Sequence, residues 1–306
     1  MSEQYALLKR LCDAPGPSGR EDAVRAVFRD ELGADDGTDR LGSIFFKHGK
    51  GDGPCVMLTA HMDEIGFMVT HITNEGFLKF HTLGGFDPKT LTAQRVIIHG
   101  KKDVIGVMAS KPIHVMTADE RNKVAKLSDY FIDTGLTAEE VKELVEIGTP
   151  ITREREFIEM GNCVNGKSLD NRLAVFILIE CLKELKGKSI PYDLYAVFTV
   201  QEEVGIRGAN VSSLKINPDF IAIEPPELIG SGKAISTEKP DLIQKAARIV
   251  NDSKNKTKLL CGAGIVSGDD VVKSIELGSK GILVASGIIK AKNWNKIISE
   301  FAKALV

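Results

Sequence analysis

Three short acidic segments carry most of the potential chemistry of this 306-residue chain. The first is His61-Met-Asp63, which follows the apolar run PCVMLTA. A metal-binding imidazole needs its second nitrogen held by an acceptor, and Asp63 could supply it. The plainer reading of such a triplet is a turn at a strand end. The second is Asp170, in SLDNRLAVFILIECL. It could cap a helix, or its two oxygens could bridge two cations. The third is Glu202-Glu203, which ends the strand-like run YDLYAVFTV. Adjacent acids at a buried strand end repel each other unless a cation is near. One could act as a general base and the other as a ligand, and the alternative is an exposed acidic turn.

A second group lies in the last third. In Ile221-Ala-Ile-Glu224-Pro-Pro-Glu-Leu-Ile-Gly-Ser-Gly232 a strand ends in a carboxylate and runs into a rigid proline pair and a glycine-closed loop. Gly262-Ala-Gly264 and Ala285-Ser286-Gly287 each lead from a strand toward a helix. Small residues there let backbone N–H groups face an anion, or simply make tight turns.

The elements that must position these groups follow from periodicity. Residues 4–33 carry two helical patterns split by Ala14-Pro-Gly-Pro-Ser-Gly19, with Ser18 as N-cap of the second. Residues 54–60 suit a buried strand. Residues 66–115 hold short runs of period two punctuated by glycines, so a small antiparallel β module is predicted there. From Asn165 onward helix and strand alternate: helix 171–186, strand 192–200, strand 219–224, helix 239–250, strand 258–261, helix 269–277, strand 281–285 and helix 294–305. The fold class predicted is α/β, a mostly parallel sheet with helices on both faces, interrupted by the inserted β module. The domains expected are 1–65 with 161–306 as the catalytic-type part, and 66–160 as the insert.

Composition narrows the function classes. A formal net charge of −2 gives no electrostatic reason to expect nucleic acid or an anionic membrane as partner. No run reaches membrane-span length, and MSEQYALLKRL lacks the apolar core of a signal peptide, so a cytoplasmic protein is expected. Its five scattered cysteines, at 12, 55, 163, 181 and 261, read as reduced thiols.

In combination the first three segments say more than singly. TAHMDEIGFMV, GKSLDNRLAVFILIECLK and VFTVQEEVGIRGA, together with APGPSGRED, GGFDPKTLTAQRVIIHGKK and GVMASKPIH, resemble the tetrahedral or deblocking aminopeptidases. This family includes glutamyl aminopeptidases and proteins labelled endoglucanase M, and the resemblance spans about residues 5–223. It implies that His61 binds one divalent ion, Asp170 bridges two and Glu203 binds the other, with zinc or cobalt as the expected metals. It further implies Glu202 as general base, Asp63 orienting His61, a peptide substrate, and a dimer-based homo-oligomer up to a dodecamer. Where the family has a metal-binding aspartate at the next strand end this chain has Glu224, so the resemblance implies Glu224 as a fourth metal ligand, converging with Asp170 and Glu203 near His61. The late histidine ligand of the family has no counterpart, because the six histidines are 48, 61, 71, 81, 99 and 114. A GTDAG-type loop is absent as well.

Residues 219–306 resemble the last three strand–helix units of archaeal triosephosphate isomerases. IAIEPPELIGSG matches the catalytic strand and lid, and CGAGIVSGDDV and GILVASGIIKAK match the two loops that cradle substrate phosphate. The resemblance implies Glu224 as an enolising base and Gly262, Gly264, Ser286 and Gly287 as phosphate contacts. Three of eight units cannot close a barrel, so isomerase activity is not expected. The sequence thus reads as a metal-dependent aminopeptidase-type hydrolase impaired by loss of the late histidine. The alternatives are a non-catalytic or engineered hybrid and a phosphate-ligand binder.

Overall fold

The computed structural model describes residues 5–252 and 256–305, apart from the side chains of Glu120 and Pro226. Gln4, where the first helical pattern begins, lies outside them. The chain divides into two compact units. The first comprises Met1–His48, Leu58–Ser189 and Tyr195–Lys215, and the second Gly49–Met57, Ile190–Leu194 and Ile216–Val306.

The first unit opens with α1 (Ala6–Asp13) and α2 (Asp22–Leu32), split at the predicted breaker run. Leu8, Leu11 and Cys12 of α1, and Val24, Val27 and Phe28 of α2, recur at three- and four-residue spacing and are buried. Ser18 is not the cap of α2, whose flanking residue is Glu21. Its hydroxyl donates instead to Asp63 Oδ2 at 2.6 Å, because a buried carboxylate outcompetes the helix end for the donor. Strands β1 (Gly37–Thr38), β2 (Ile44–His48), β3 (Cys55–His61) and β12 (Asp193–Thr199) form a sheet in the order β1-β2-β12-β3. Phe28 stacks on Phe198 of β12 with ring centroids 4.4 Å apart, and Phe46 meets the same ring edge-on. Both aromatic pairs belong to one core cluster with Ile44, Ala60, Val175 and Ile179.

Between β3 and β12 runs the β module. Strands β4 (Gly66–Ile72), β5 (Leu78–Leu83), β6 (Arg95–His99), β7 (Asp103–Ala109), β8 (Phe131–Asp133) and β9 (Pro150–Arg153) close into a barrel in the order β4-β5-β8-β7-β6-β9. Alternation sets its interior: Val104 and Met108 of β7 are buried while Ile105 and Val107 face out. Gly106 is required there, since an added Cβ would lie 2.5 Å from Ile132 Cγ2. Two helices, α3 (Ala118–Arg121) and α4 (Ala138–Leu144), lie in the connections. A hairpin of β10 (Ile158–Met160) and β11 (Cys163–Asn165) then leads to α5 (Leu169–Leu185). The unit ends with α6 (Arg207–Ile216) after β12.

The second unit contains β13 (Phe220–Ile223), α7 (Ile235–Glu238), α8 (Pro240–Asp252), β14 (Lys258–Cys261), α9 (Gly268–Glu276), α10 (Ser286–Ile289) and α11 (Trp294–Ala304). Its own core gathers Ile235, Ile243, Leu259, Cys261, Ile265, Val271 and Phe301. β13 and β14 pair in parallel, with Ile221 opposite Leu259. The run expected as a strand at 281–285 makes a single parallel bridge, Cys261 to Ile282, before the chain turns into α10.

The α/β class holds, but the expectation of a mostly parallel sheet needs correction. The barrel ladders are antiparallel, as predicted for the insert. Outside it β1–β2 is antiparallel and β13–β14 parallel, so the sheets are mixed. Short connections permit antiparallel neighbours, whereas each parallel pair needs a crossover. Strand–helix alternation in a sequence does not by itself say how many crossovers return to the same sheet. Among the described residues no disulfide joins any of the five cysteines. Among the described residues no helix is long and apolar enough to cross a membrane.

Candidate metal centre

His61 is the last residue of β3, and Glu202-Glu203 follow β12, its neighbour in the sheet. The amide of Met62 donates to Thr199 O at 2.8 Å, which ties the two strand ends together. Beyond β12 the chain turns sharply at Gln201, whose φ of 54° lies in the left-handed region. Asp170 enters from the start of α5. It and Asn171 have non-helical dihedrals, so the helix is interrupted where the carboxylate projects.

These elements bring His61, Asp170 and Glu203 together, each offering a ligand atom within 4.8 Å of the others'. His61 Nε2 is 3.0 Å from Asp170 Oδ1 and 3.9 Å from Glu202 Oε2. Its Nδ1 is 3.2 Å from the backbone oxygen of Asp63 and 3.4 Å from Oδ1. One ring nitrogen is thus held from behind, and the other faces the carboxylates. Asp63 is fully buried and accepts from Ser18 Oγ and from the amides of Glu202 (2.9 Å) and Glu203 (3.1 Å). A single carboxylate therefore fixes both the imidazole and the acidic turn.

The electrostatics are those of a site rich in negative charge. Burial would favour neutral His61, but the hydrogen bond and charge of Asp63, with Glu202 and Asp170, push its pKa up to about 9. Burial would raise the pKa of Asp63, yet His61, Ser18 and the two amides hold it below the usual carboxylate range. Glu203 moves the other way: burial raises it, His61 opposes, and Asp170, Asp63 and Glu202 add to the rise. A cation would relieve this crowding. One imidazole nitrogen with carboxylate oxygens is a donor set for zinc or a similar first-row ion, with ligands at about 2.0–2.2 Å. Ligand atoms on such an ion stand up to about 4 Å apart, so the group fits after a small contraction.

Several supporting residues were not picked out from the sequence. Glu21 is buried and accepts from the amides of Gly19 (2.7 Å) and Gln201 (3.2 Å), which anchors the turn before Glu202. Burial raises its pKa, against the backbone bonds it accepts. Glu64, Lys167 and Arg172 form a buried ionic group beneath the site. The available signal was position: Glu64 adjoins Asp63, and two cationic residues flank Asp170 in an otherwise apolar stretch.

Glu224 stands at the end of β13 in the second unit. There it lines a cavity of about 90 Å³ with Gly264, Ala285, Ser286 and Gly287. Gly262 borders Glu224, since a Cβ on it would lie 3.0 Å from Oε1. Gly264 has φ 71°, and a Cβ there would meet Lys233 O at 1.9 Å; one on Gly287 would meet Ile265 O at 2.2 Å. Close backbone approach therefore explains both glycines.

The comparisons agree with the two resemblances. Residues 42–244 match the family described as M42 glutamyl aminopeptidase. A glutamyl aminopeptidase of Lactococcus lactis is 34% identical over 236 residues, 72% of this chain and 66% of that protein. A TET aminopeptidase from a marine-sediment Thaumarchaeota archaeon superimposes with a TM-score of 0.71 at 30% identity, covering 92% of this chain and 87% of its own. The Pyrococcus horikoshii TET1 peptidase, described as assembling into a tetrahedron or a large octahedral shell, gives 0.67 at 28% identity, covering 91% and 89%. A triosephosphate isomerase of Cenarchaeum symbiosum is 51% identical over 113 residues, 37% of this chain and 49% of that enzyme. The matches thus span about two thirds of the curated aminopeptidase and half of the isomerase. By the extent of the family match and the likeness to the archaeal TET structure, the chain belongs to the M42 glutamyl aminopeptidase family.

Proposed function

We propose that this chain is a metal-dependent hydrolase of the aminopeptidase type, acting on peptide N-termini at reduced efficiency. The observation that carries this reading is the convergence of His61, Asp170 and Glu203 on one point, with Glu202 beside them. A divalent ion held there, zinc or cobalt, would supply Lewis acidity toward the scissile carbonyl. Asp63 holds the imidazole so that Nε2 faces Asp170 and Glu202, where it would serve as a ligand. Glu202 takes the proton of the attacking water and returns it to the leaving amine. Burial and the surrounding acids keep a high electrostatic demand for a cation at Glu203. His61 is the sole nitrogen donor of the described group, so one ion is held tightly at most. The protein would be cytoplasmic and assemble as a dimer-based homo-oligomer, up to a dodecamer, in keeping with the shells described for the TET1 relative. The division into 1–65 with 161–306 and an inserted 66–160 belongs to the same reading.

The test is elemental analysis of the purified protein beside hydrolysis of aminoacyl-p-nitroanilides before and after chelation. One tightly held ion per chain is expected, with weak turnover that chelation removes and cobalt or zinc restores. Glu202→Gln is expected to lower turnover by about 10²–10⁴-fold with the ion retained. Two tight ions per chain, or full turnover in this variant, contradicts the assignment.

A second reading is favoured by the cavity at Glu224: the second unit binds phosphate weakly through the amides at Gly262, Gly264, Ser286 and Gly287. Millimolar phosphate is then expected to shift the Gly262, Gly264 and Gly287 amide resonances. No shift leaves these glycines a purely conformational role.

A further inference from the structure

The ionic group beneath the site does something that its three charges alone do not explain. Glu64 is fully buried, and its Oε1 receives Lys167 Nζ and the amide of Gly16 (3.0 Å), with Arg172 Nη2 at 4.0 Å. Its own amide returns a bond to Gly16 O at 2.9 Å. Lys167 and Arg172 in turn grip the end of α1. Arg172 donates to Leu11 O and to Ala14 O (3.2 Å), and Lys167 reaches Ala14 O at 3.4 Å. Buried charges are costly unless paired, so this group holds one arrangement or none.

Its members occupy telling positions in the chain. Glu64 is the residue after Asp63, and Lys167 and Arg172 stand three before and two after Asp170. Asp170 lies where α5 is not helical, and its side chain is 87% exposed. Neither helix regularity nor packing therefore fixes that carboxylate. Its backbone is anchored on either side at Lys167 and Arg172, and by Ser168, whose hydroxyl donates to Cys12 O at 2.9 Å. The same carboxylate that clamps these two cations continues directly into the segment holding His61.

We propose that Glu64, through Lys167 and Arg172, is a positioning residue that sets the separation of Asp170 from His61 and so tunes metal affinity. The proposal rests on the metal reading above. The group adds one carboxylate against two cations, which leaves a net positive charge under an acid-rich site. It thereby offsets the repulsion among Asp63, Asp170 and Glu202 before any ion binds. The turn is packed tightly against it: a Cβ on Gly16 would lie 2.7 Å from Arg172 Nη2 and 2.7 Å from Val24 Cγ2.

The experiment uses the full chain, with Co²⁺ as probe, followed by calorimetry and by its visible absorption. Glu64→Gln and Lys167→Met are each expected to weaken Co²⁺ binding by about 10–100-fold and to change the visible bands. The double variant is expected to lose no more than the worse single, because the residues act as one unit. Glu64→Asp is expected to recover part of the affinity. Gly16→Ala keeps every charge while pushing on Arg172, and is expected to give the same spectral change if Glu64→Gln does not fold. Variants that melt earlier yet bind Co²⁺ with native affinity and spectrum overturn the proposal and leave the group a stabilising role. If the unmodified protein takes up no Co²⁺, the metal reading fails and the positioning role with it. Native-like binding in the variants alone removes only the latter.

Discussion

Replacing Asp63 by asparagine is the sharpest probe of how the site is held. The carboxylate is fully buried and accepts from Ser18 Oγ, from the amides of Glu202 and Glu203, and from His61. Asparagine keeps the shape but turns one acceptor into a donor. If the amide nitrogen takes the Oδ1 position it faces Glu202 N–H; in the Oδ2 position it faces Glu203 N–H. Ser18 can rotate to accept, but a backbone amide cannot. One buried donor is left unpaired in either orientation, at about 1–3 kcal/mol. The bonds that remain lose their charge assistance, about 1 kcal/mol each, and relief from burying a charge gives part of this back. The net expectation is a loss of about 2–4 kcal/mol. Urea unfolding of chelated protein at neutral pH measures it without any contribution from bound metal. Ser18→Ala is the internal control, since it removes one donor and strands none, for about 1 kcal/mol. An asparagine variant within about 0.5 kcal/mol of the parent would falsify the view that Asp63 organises the site by accepting from three sides.

Other expectations concern parts further from the site. Asp39 collects the amides of Leu41, Gly42 and Ser43 and the Ser212 hydroxyl; burial opposes its ionisation, but these bonds prevail and hold its pKa low. A depressed folded pKa stabilises above the unfolded value of about 3.9 and loses that effect as pH falls through the folded one. Asp39→Asn is therefore expected to cost about 1–2 kcal/mol at pH 7 and progressively less below about pH 4, and an equal gap at pH 3 and pH 7 contradicts this. Phe198→Ala removes a fully buried ring stacked on Phe28, and should cost about 3–5 kcal/mol by denaturant titration. Gly264→Ala is expected to destabilise the second unit by at least about 3 kcal/mol, from its positive φ and the clash with Lys233 O, read as faster hydrogen exchange along β14.

The sequence exposed what local pattern controls. The glycine-punctuated strands of the barrel and the boundaries of β14 and α11 were legible because burial and period coincide there. The run before His61 does form β3, but only its last two residues, Ala60 and His61, are buried, against the expectation of a buried strand. His61, Asp170 and Glu203 could be named because each sits where an element begins or ends. Pairing direction was less legible, since it depends on where a connection returns rather than on its composition. Ser18 illustrates a second limit: an N-cap and a carboxylate partner look alike until the long-range contact with Asp63 is known. Glu64, Lys167 and Arg172 escaped for the same reason, because charged residues in sequence suggest solvent and their mutual burial is a property of the fold.

The closure of the barrel has a consequence for how such a chain can be assembled and exchanged. The first and last strands of the barrel are hydrogen-bonded neighbours, Phe67 opposite Ile151 and Met68 opposite Pro150. The chain thus leaves the insert about where it entered, roughly 5 Å away. To the remainder of the first unit, the whole insert is a loop whose ends are already joined. The entropy of closing that loop grows only slowly with its length, about 0.6 kcal/mol per doubling, and here the barrel's own hydrogen bonds offset it. The insert could consequently be lengthened, replaced by another closed module, or cut down to a short linker without asking His61 and Asp170 to move apart. The insert can then diversify at its own pace, while the residues of the candidate metal centre stay under separate constraint.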